Sequence, residues 1–221
     1  MNDSTLIFEN GTHISWNRFD DGGGSTHYPD FLNAVGDTKK YNKCLEWCAG
    51  ISAVSFSLLD KNIVDKCVLM DIYEPALLSA IDNANNNNLQ DRVTHYVYDQ
   101  VNKIPKHERF DLVIANPPHS LDKELPMNNG LPLTEEEFSH CYRITVDADW
   151  QIHKEFYENI TTYLEPNGDL FISEVWEYPK LREMASKAGL KLVKTTSAPK
   201  IGKDSGTPAY ICHYRYEKEI Y

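Results

Sequence analysis

Apolar and polar positions change rhythm several times along the chain, and from about residue 41 the change becomes regular. KCLEWC (43–48) is a short apolar run, and ISAVSFSLL (51–59) is long enough for a helix. KCVLMD (66–71) reads as a strand. Pro75 then sits where a first helical turn accepts proline, and Ala76, Leu77, Ala80, Ile81 and Ala84 recur at helical spacing. Four asparagines at 85–88 end that helix. VTHYVYD (93–99) alternates, and FDLVIA (110–115) is a continuous strand of the buried type. A polar stretch over about 120–148 interrupts the rhythm, and within it Glu135-Glu136-Glu137 reads as a solvated face. Asp149 is placed to cap a helix carrying Ile152, Phe156, Ile160 and Leu164 on one face. Trp150, Phe156 and Tyr157 read as core, and His153 as a surface residue or a group facing the pocket. Pro166-Asn167-Gly168 turns the chain into DLFISEV (169–175). Pro179 opens another helix, lined by Leu181, Met184, Ala185 and Ala188 and closed by Gly189. KLVKTTS (191–197) and AYICHYRY (209–216) finish as strands with no helix between them.

This alternation predicts an α/β fold: a Rossmann-like, doubly wound sheet of seven strands, mostly parallel, with an antiparallel C-terminal strand. The domain is expected over 41–221, preceded by an N-terminal segment, 1–40. That segment holds GGGSTHYPDF (22–31), which reads either as an active-site lid whose Tyr28 or Phe31 covers a ligand or as a connecting loop.

Composition narrows the function. With 221 residues and 41% apolar content the chain can bury one good-sized core. A net charge of −11 and dispersed Lys and Arg disfavour a phosphate backbone as partner. The expected partner is a protein or small molecule. Five cysteines form no C-x-x-C pair and eight histidines no H-x-x-x-H pair, so neither a metal site nor a disulfide framework is expected. Cys44, Cys48 and Cys67 lie in apolar runs and read as small hydrophobes. No apolar run reaches the roughly 18 residues of a membrane span, and the first residues lack a secretory pattern. A cytoplasmic location is expected.

Ligands of a doubly wound sheet bind beyond the carboxyl ends of its strands. After the first strand comes Glu46-Trp47-Cys48-Ala49-Gly50, after the second Asp71-Ile72-Tyr73, after the third Asp99-Gln100, after the fourth Asn116-Pro117-Pro118-His119. A carboxylate at the second strand end can accept hydrogen bonds from both hydroxyls of a ribose. One at the third can read an adenine amino group. Gly50 lets the backbone approach closely. The G-x-G-x-x-G fingerprint is absent and no cation waits for a pyrophosphate, which argues against the dinucleotide reading. Glu46 would repel phosphate and favour a ligand with a positive centre.

The order Glu46-x-x-x-Gly50, Asp71, Asp99 and NPPH (116–119) resembles the class I methyltransferases. The subgroup it resembles carries an N-P-P-aromatic motif and includes release-factor glutamine methyltransferases and amino-directed DNA and ribosomal-RNA enzymes. The likeness covers about 41–221 and extends to the Leu164–Gly168 turn. It implies S-adenosylmethionine as cofactor, with Glu46, Cys48 and Gly50 at its methionine end, Asp71 at the ribose, Ile72 and Tyr73 on the adenine face, and Asp99 and Gln100 at the adenine edge. Asn116, Pro117 and His119 would serve catalysis, Asn116 also touching the cofactor. Two departures stand out: Cys48 and Ser52 occupy places usually held by glycine, and His119 replaces the aromatic residue.

The chemistry fits an unreactive nitrogen. In a planar amide or aromatic amine the lone pair is delocalised. Hydrogen bonds from its N–H groups to the Asn116 side-chain carbonyl and the Pro117 carbonyl would return electron density to nitrogen. Two prolines remove backbone donors and fix the turn. His119 reads as a wall of the acceptor pocket or as a base. The expected activity is N-methylation of a protein side-chain amide or a small amine-bearing molecule. A nucleic-acid amino methyltransferase and a silent cofactor-binding domain are the alternatives.

Overall fold

A computed structural model describes residues 4–17, 20–119, 134–175, 179–206 and 208–217. A hairpin of β1 (Ser4–Ile7) and β2 (His13–Trp16) leads into α1 (Gly24–Val35). The main sheet follows: β3 (Tyr41–Trp47), α2 (Ala53–Asp60), β4 (Val64–Asp71), α3 (Glu74–Asn86), β5 (Val93–Val97) and β6 (Phe110–Ala115). After α4 (Glu135–Thr145) come α5 (Gln151–Ile160), β7 (Leu164–Val175), α6 (Pro179–Lys187), β8 (Leu190–Ser197), α7 (Pro199–Ser205) and β9 (Ala209–Tyr216).

The seven strands lie in the order β5-β4-β3-β6-β7-β9-β8, and β9 alone runs antiparallel to its neighbours. The doubly wound sheet expected from the alternation is therefore present. Strand order reverses between β3 and β6, which opens a crevice at their carboxyl ends. Alternate residues of each strand feed opposite faces: Cys44, Leu69 and Ile114 join one cluster, Leu45, Met70 and Ala115 the other. Phe31, Phe56, Leu77 and Ile201 bring α1, α2, α3 and α7 to the first face, and Phe156, Ile160 and Ala185 bring α5 and α6 to the second.

The N-terminal segment shares this core. Phe8, Ile14, Trp16 and Phe31 are buried in the first cluster. Its polar groups are anchored as well: Asp60 accepts from the backbone N–H groups of Asn10 and Thr12, and Asn83 from that of Ser15.

Four local expectations need correction, the first being Leu164, which opens β7 instead of extending the α5 face. A helix does separate the last two strands. Residues 199–205 carry Gly202 and no capping side chain at Ala198, so they look like a loop; the cap is Asp30 of α1, whose carboxylate accepts from Lys200 and Ile201 N–H at 2.8 and 3.0 Å. Asp149 does not cap α5, because it sits in left-handed backbone at φ 57°. Asp147 does so instead, accepting from the N–H groups of Ile152 and His153. His153 is not a surface residue: it is fully buried, its Nδ1 2.6 Å from Asp147 Oδ2. Trp150, Phe156 and Tyr157 are core, as their spacing suggested. Glu135 is exposed, and the side chains of Glu136 and Glu137 lie outside the described residues, as does the whole of 120–133.

Candidate functional site

A cavity of about 300 Å³ lies over the carboxyl ends of β3, β4 and β6, within the range of roughly 300–1,000 Å³ that small-molecule sites occupy. Glu46, Cys48, Gly50, Asp71, Ile72 and Tyr73 line it, with Asp99 and Asn116. Gln100, Pro117 and His119 do not reach its wall.

The loop after β3 shapes one side. Cys48, Gly50 and Ser52 all adopt left-handed backbone, with φ 56°, 49° and 60°. The chain thus keeps the path that glycines would permit, at a cost of about 1–2 kcal/mol for each residue with a Cβ. At Gly50 a Cβ would stand 3.4 Å from the Asp21 carbonyl oxygen, so the N-terminal segment packs directly against this loop. Asp71 ties the loop to the next strand end: its carboxylate accepts from Gly50 N–H at 2.8 Å and from Tyr73 N–H at 2.9 Å.

Glu46 is buried at the end of β3 and accepts from the Ser55 N–H, in the first turn of α2, at 2.9 Å. Burial, with Asp71 nearby, outweighs the hydrogen bonds it accepts and pushes its pKa up to about 7. A cation in the cavity would reverse that. Asp99 is half exposed and paired with Lys103, which holds its carboxyl below the usual range. Ile72 is 54% exposed, an apolar surface at the cavity with room for a planar ring.

At the other end Asn116 and Pro118 meet Tyr142, Ile144, Val146 and Ile152, a largely apolar wall. The Asn116 amide is held on both sides: Ser173 Oγ donates to Oδ1 at 2.7 Å, and Nδ2 lies 3.4 Å from His27 Nδ1. His119 turns away to the Ser173 carbonyl, 2.6 Å from Nε2. Burial, with His153 beside it, lowers its pKa to about 3, so the ring is neutral.

The segment 22–31 reaches the cavity through Gly22 and Gly24, with Asp20 and Asp21 just before it, and not through the expected aromatics: Phe31 points into the core and Tyr28 packs edge-on against Phe8. Tyr98, His27 and Ser173 had no motif to flag them; only the fold brings them in. Five carboxylates (Asp20, Asp21, Glu46, Asp71 and Asp99) line the described wall, and Arg143 is its one cation. Such a wall suits a ligand with a positive centre and repels phosphate.

Comparison with known proteins agrees. Residues 7–131, more than half of the 221, match the family model for the methyltransferase small domain. The chain belongs to that family. Its cofactor is S-adenosylmethionine, whose sulfonium and adenosine suit the buried Glu46, the backbone-anchored Asp71 and the exposed Ile72. Ribosomal RNA small subunit methyltransferase C of Buchnera aphidicola subsp. Cinara cedri (strain Cc) is 37% identical over 82 residues, 36% of this chain and 22% of that protein. The chain thus spans about a fifth of that relative's length. In structure it is similar to TrmN of Thermus thermophilus (TM-score 0.59, 14% identity, 93% of this chain and 55% of that one). It is also similar to the N-methyltransferase NodS of Bradyrhizobium japonicum WM9 (0.54, 13%, 91% and 98%). A ribosomal protein methylase of Lactobacillus delbrueckii subsp. bulgaricus gives 0.59 at 12% identity, covering 87% and 78%. At these identities the likeness shows the fold. Among the described residues no group of three or more His, Cys, Asp or Glu is placed to hold a metal ion, and no helix is long and apolar enough to cross a membrane.

Proposed function

We propose that this protein is an S-adenosylmethionine-dependent N-methyltransferase of the cytoplasm, acting on a protein side-chain amide or a small amine-bearing molecule. The observation that carries the reading is the Asn116 amide at the cavity wall, its oxygen fixed by Ser173. The cofactor supplies a methyl group on a positively charged sulfur. Glu46 and the Gly50 loop would hold its methionine end, Asp71 its ribose, and Ile72, Tyr73 and Asp99 its adenine.

Asn116 Oδ1 carries two lone pairs. Ser173 engages one, and the other can accept an N–H of the acceptor, localising the lone pair on its nitrogen. The apolar wall of Ile144, Val146 and Ile152 excludes water and presses a planar group into place. His119, neutral and tied to β7, acts as support for that wall; a ring with a pKa near 3 is a poor base at neutral pH. Asp20, Asp21, Gly22 and Gly24 would cover the cofactor from the N-terminal side.

An RNA amino group is the second reading, favoured by the ribosomal-RNA enzyme among the relatives. The acidic wall and the net charge of −11 weigh against it. Purified protein, given methyl-labelled cofactor and separate protein, metabolite and RNA fractions, is expected to label protein or metabolite. Label confined to RNA would reverse the order of the two readings. Asn116→Ala is expected to cut transfer roughly 100-fold or more while cofactor affinity, measured by calorimetry, holds within about threefold.

A further inference from the structure

Ser173 stands one residue beyond Ile172, whose partner on β6 is Ala115. That register sets Ser173 beside the NPPH turn, with its side chain fully buried. Its two oxygens take the two ends of the turn. The hydroxyl donates to Asn116 Oδ1 at 2.7 Å, and the main-chain carbonyl lies 2.6 Å from His119 Nε2.

We propose that Ser173 is the positioning residue of the acceptor site, its hydroxyl setting which end of the Asn116 amide faces the acceptor nitrogen and its carbonyl locking the His119 ring. This deepens the N-methyltransferase reading and rests on it.

The argument is one of donors and acceptors. A carboxamide is nearly symmetric in shape, and half a turn about its last torsion exchanges oxygen for NH₂. Only the oxygen can accept an N–H; the NH₂ would set donor against donor. A hydroxyl proton on Oδ1 holds the amide plane and leaves the second lone pair unused. On the far side of the amide, His27 Nδ1 faces Nδ2 at 3.4 Å, which completes the orientation when that nitrogen bears no proton. The carbonyl of Ser173 can only accept, so His119 carries its proton on Nε2. Its Nδ1 is then bare and the ring cannot turn over without losing the contact. One residue on β7 therefore fixes both the amide that grips the acceptor and the ring at the end of the same turn.

Ser173→Ala removes the hydroxyl and nothing else. In ¹⁵N-labelled protein the Asn116 side-chain amide should give two well-separated proton signals, which in the variant draw together and exchange faster with water. Cofactor affinity should stay within about threefold, and methyl transfer should fall roughly tenfold, the equivalent of one hydrogen bond. An Asn116 amide pair unmoved by the substitution overturns the proposal whatever happens to turnover. If the variant does not fold, the wild-type protein decides: His119 should be the neutral Nε2–H tautomer from about pH 5 to 8, and an Nδ1–H or protonated ring would overturn the proposal. Absence of transfer by the wild type counts against the functional reading alone, because these signals are recorded without turnover.

Discussion

Glu46 is a carboxylic acid held near its own midpoint at neutral pH, because burial disfavours its charge while the Ser55 N–H favours it. A cation in the cavity favours the ionised form, so cofactor affinity should be linked to its titration. Affinity is expected to weaken as pH falls below about 7, by up to tenfold per unit. Calorimetry at three pH values checks this; Glu46→Gln should bind weakly and without that dependence. Stability moves the opposite way. The folded pKa is raised above the unfolded value of about 4.5, so the contribution of the bound proton is fully present below that value and is lost as pH rises through about 7. Its size is of the order of 3 kcal/mol. Denaturant titration of the cofactor-free protein should show that loss as the change with pH in the stability difference between the wild type and Glu46→Gln, because the lowered pKa of buried His119 acts in the opposite sense in both.

The loop between β3 and α2 carries strain that its sequence does not advertise. Cys48 and Ser52 hold left-handed backbone, and Ser52 also buries a hydroxyl that has no hydrogen-bond partner among the described residues. Ser52→Gly should relieve both and raise stability by about 1 kcal/mol after the added freedom of the unfolded chain is subtracted. A rise of a few degrees in Tm would agree; a fall would mean the hydroxyl has a use. The elements themselves were legible wherever local periodicity and packing coincide, as in 110–115 and 74–86. They were not legible where the organising group is remote. Apart from Pro199 at its first position, nothing near 199–205 announces a helix whose cap is Asp30, 170 residues away. Asp149 looked like a cap because its type and place are right, yet Asp147 holds the N–H groups. The strand-end acids and Asn116 could be found because a doubly wound sheet puts strand ends together. His27 and Ser173 could not, since each reaches Asn116 only through the register of the fold.

At the scale of the whole molecule, the first 40 residues are part of the machine. They contribute Ile14 and Phe31 to the core, cap α7 and close one side of the cavity. A chain beginning at residue 41 is therefore expected not to fold cooperatively, which circular dichroism during thermal unfolding would reveal as a broad or absent transition; a sharp one would show that the segment is dispensable. The central claim is that a sulfonium cofactor lies across the strand ends with its reactive side toward Asn116. A crystal structure with the demethylated cofactor, S-adenosylhomocysteine, tests it most directly. Density is expected in the cavity between the Gly50 loop and Asn116, with the ribose on Asp71. A cavity left empty at saturating ligand, or a ligand bound away from Asn116, would contradict the account.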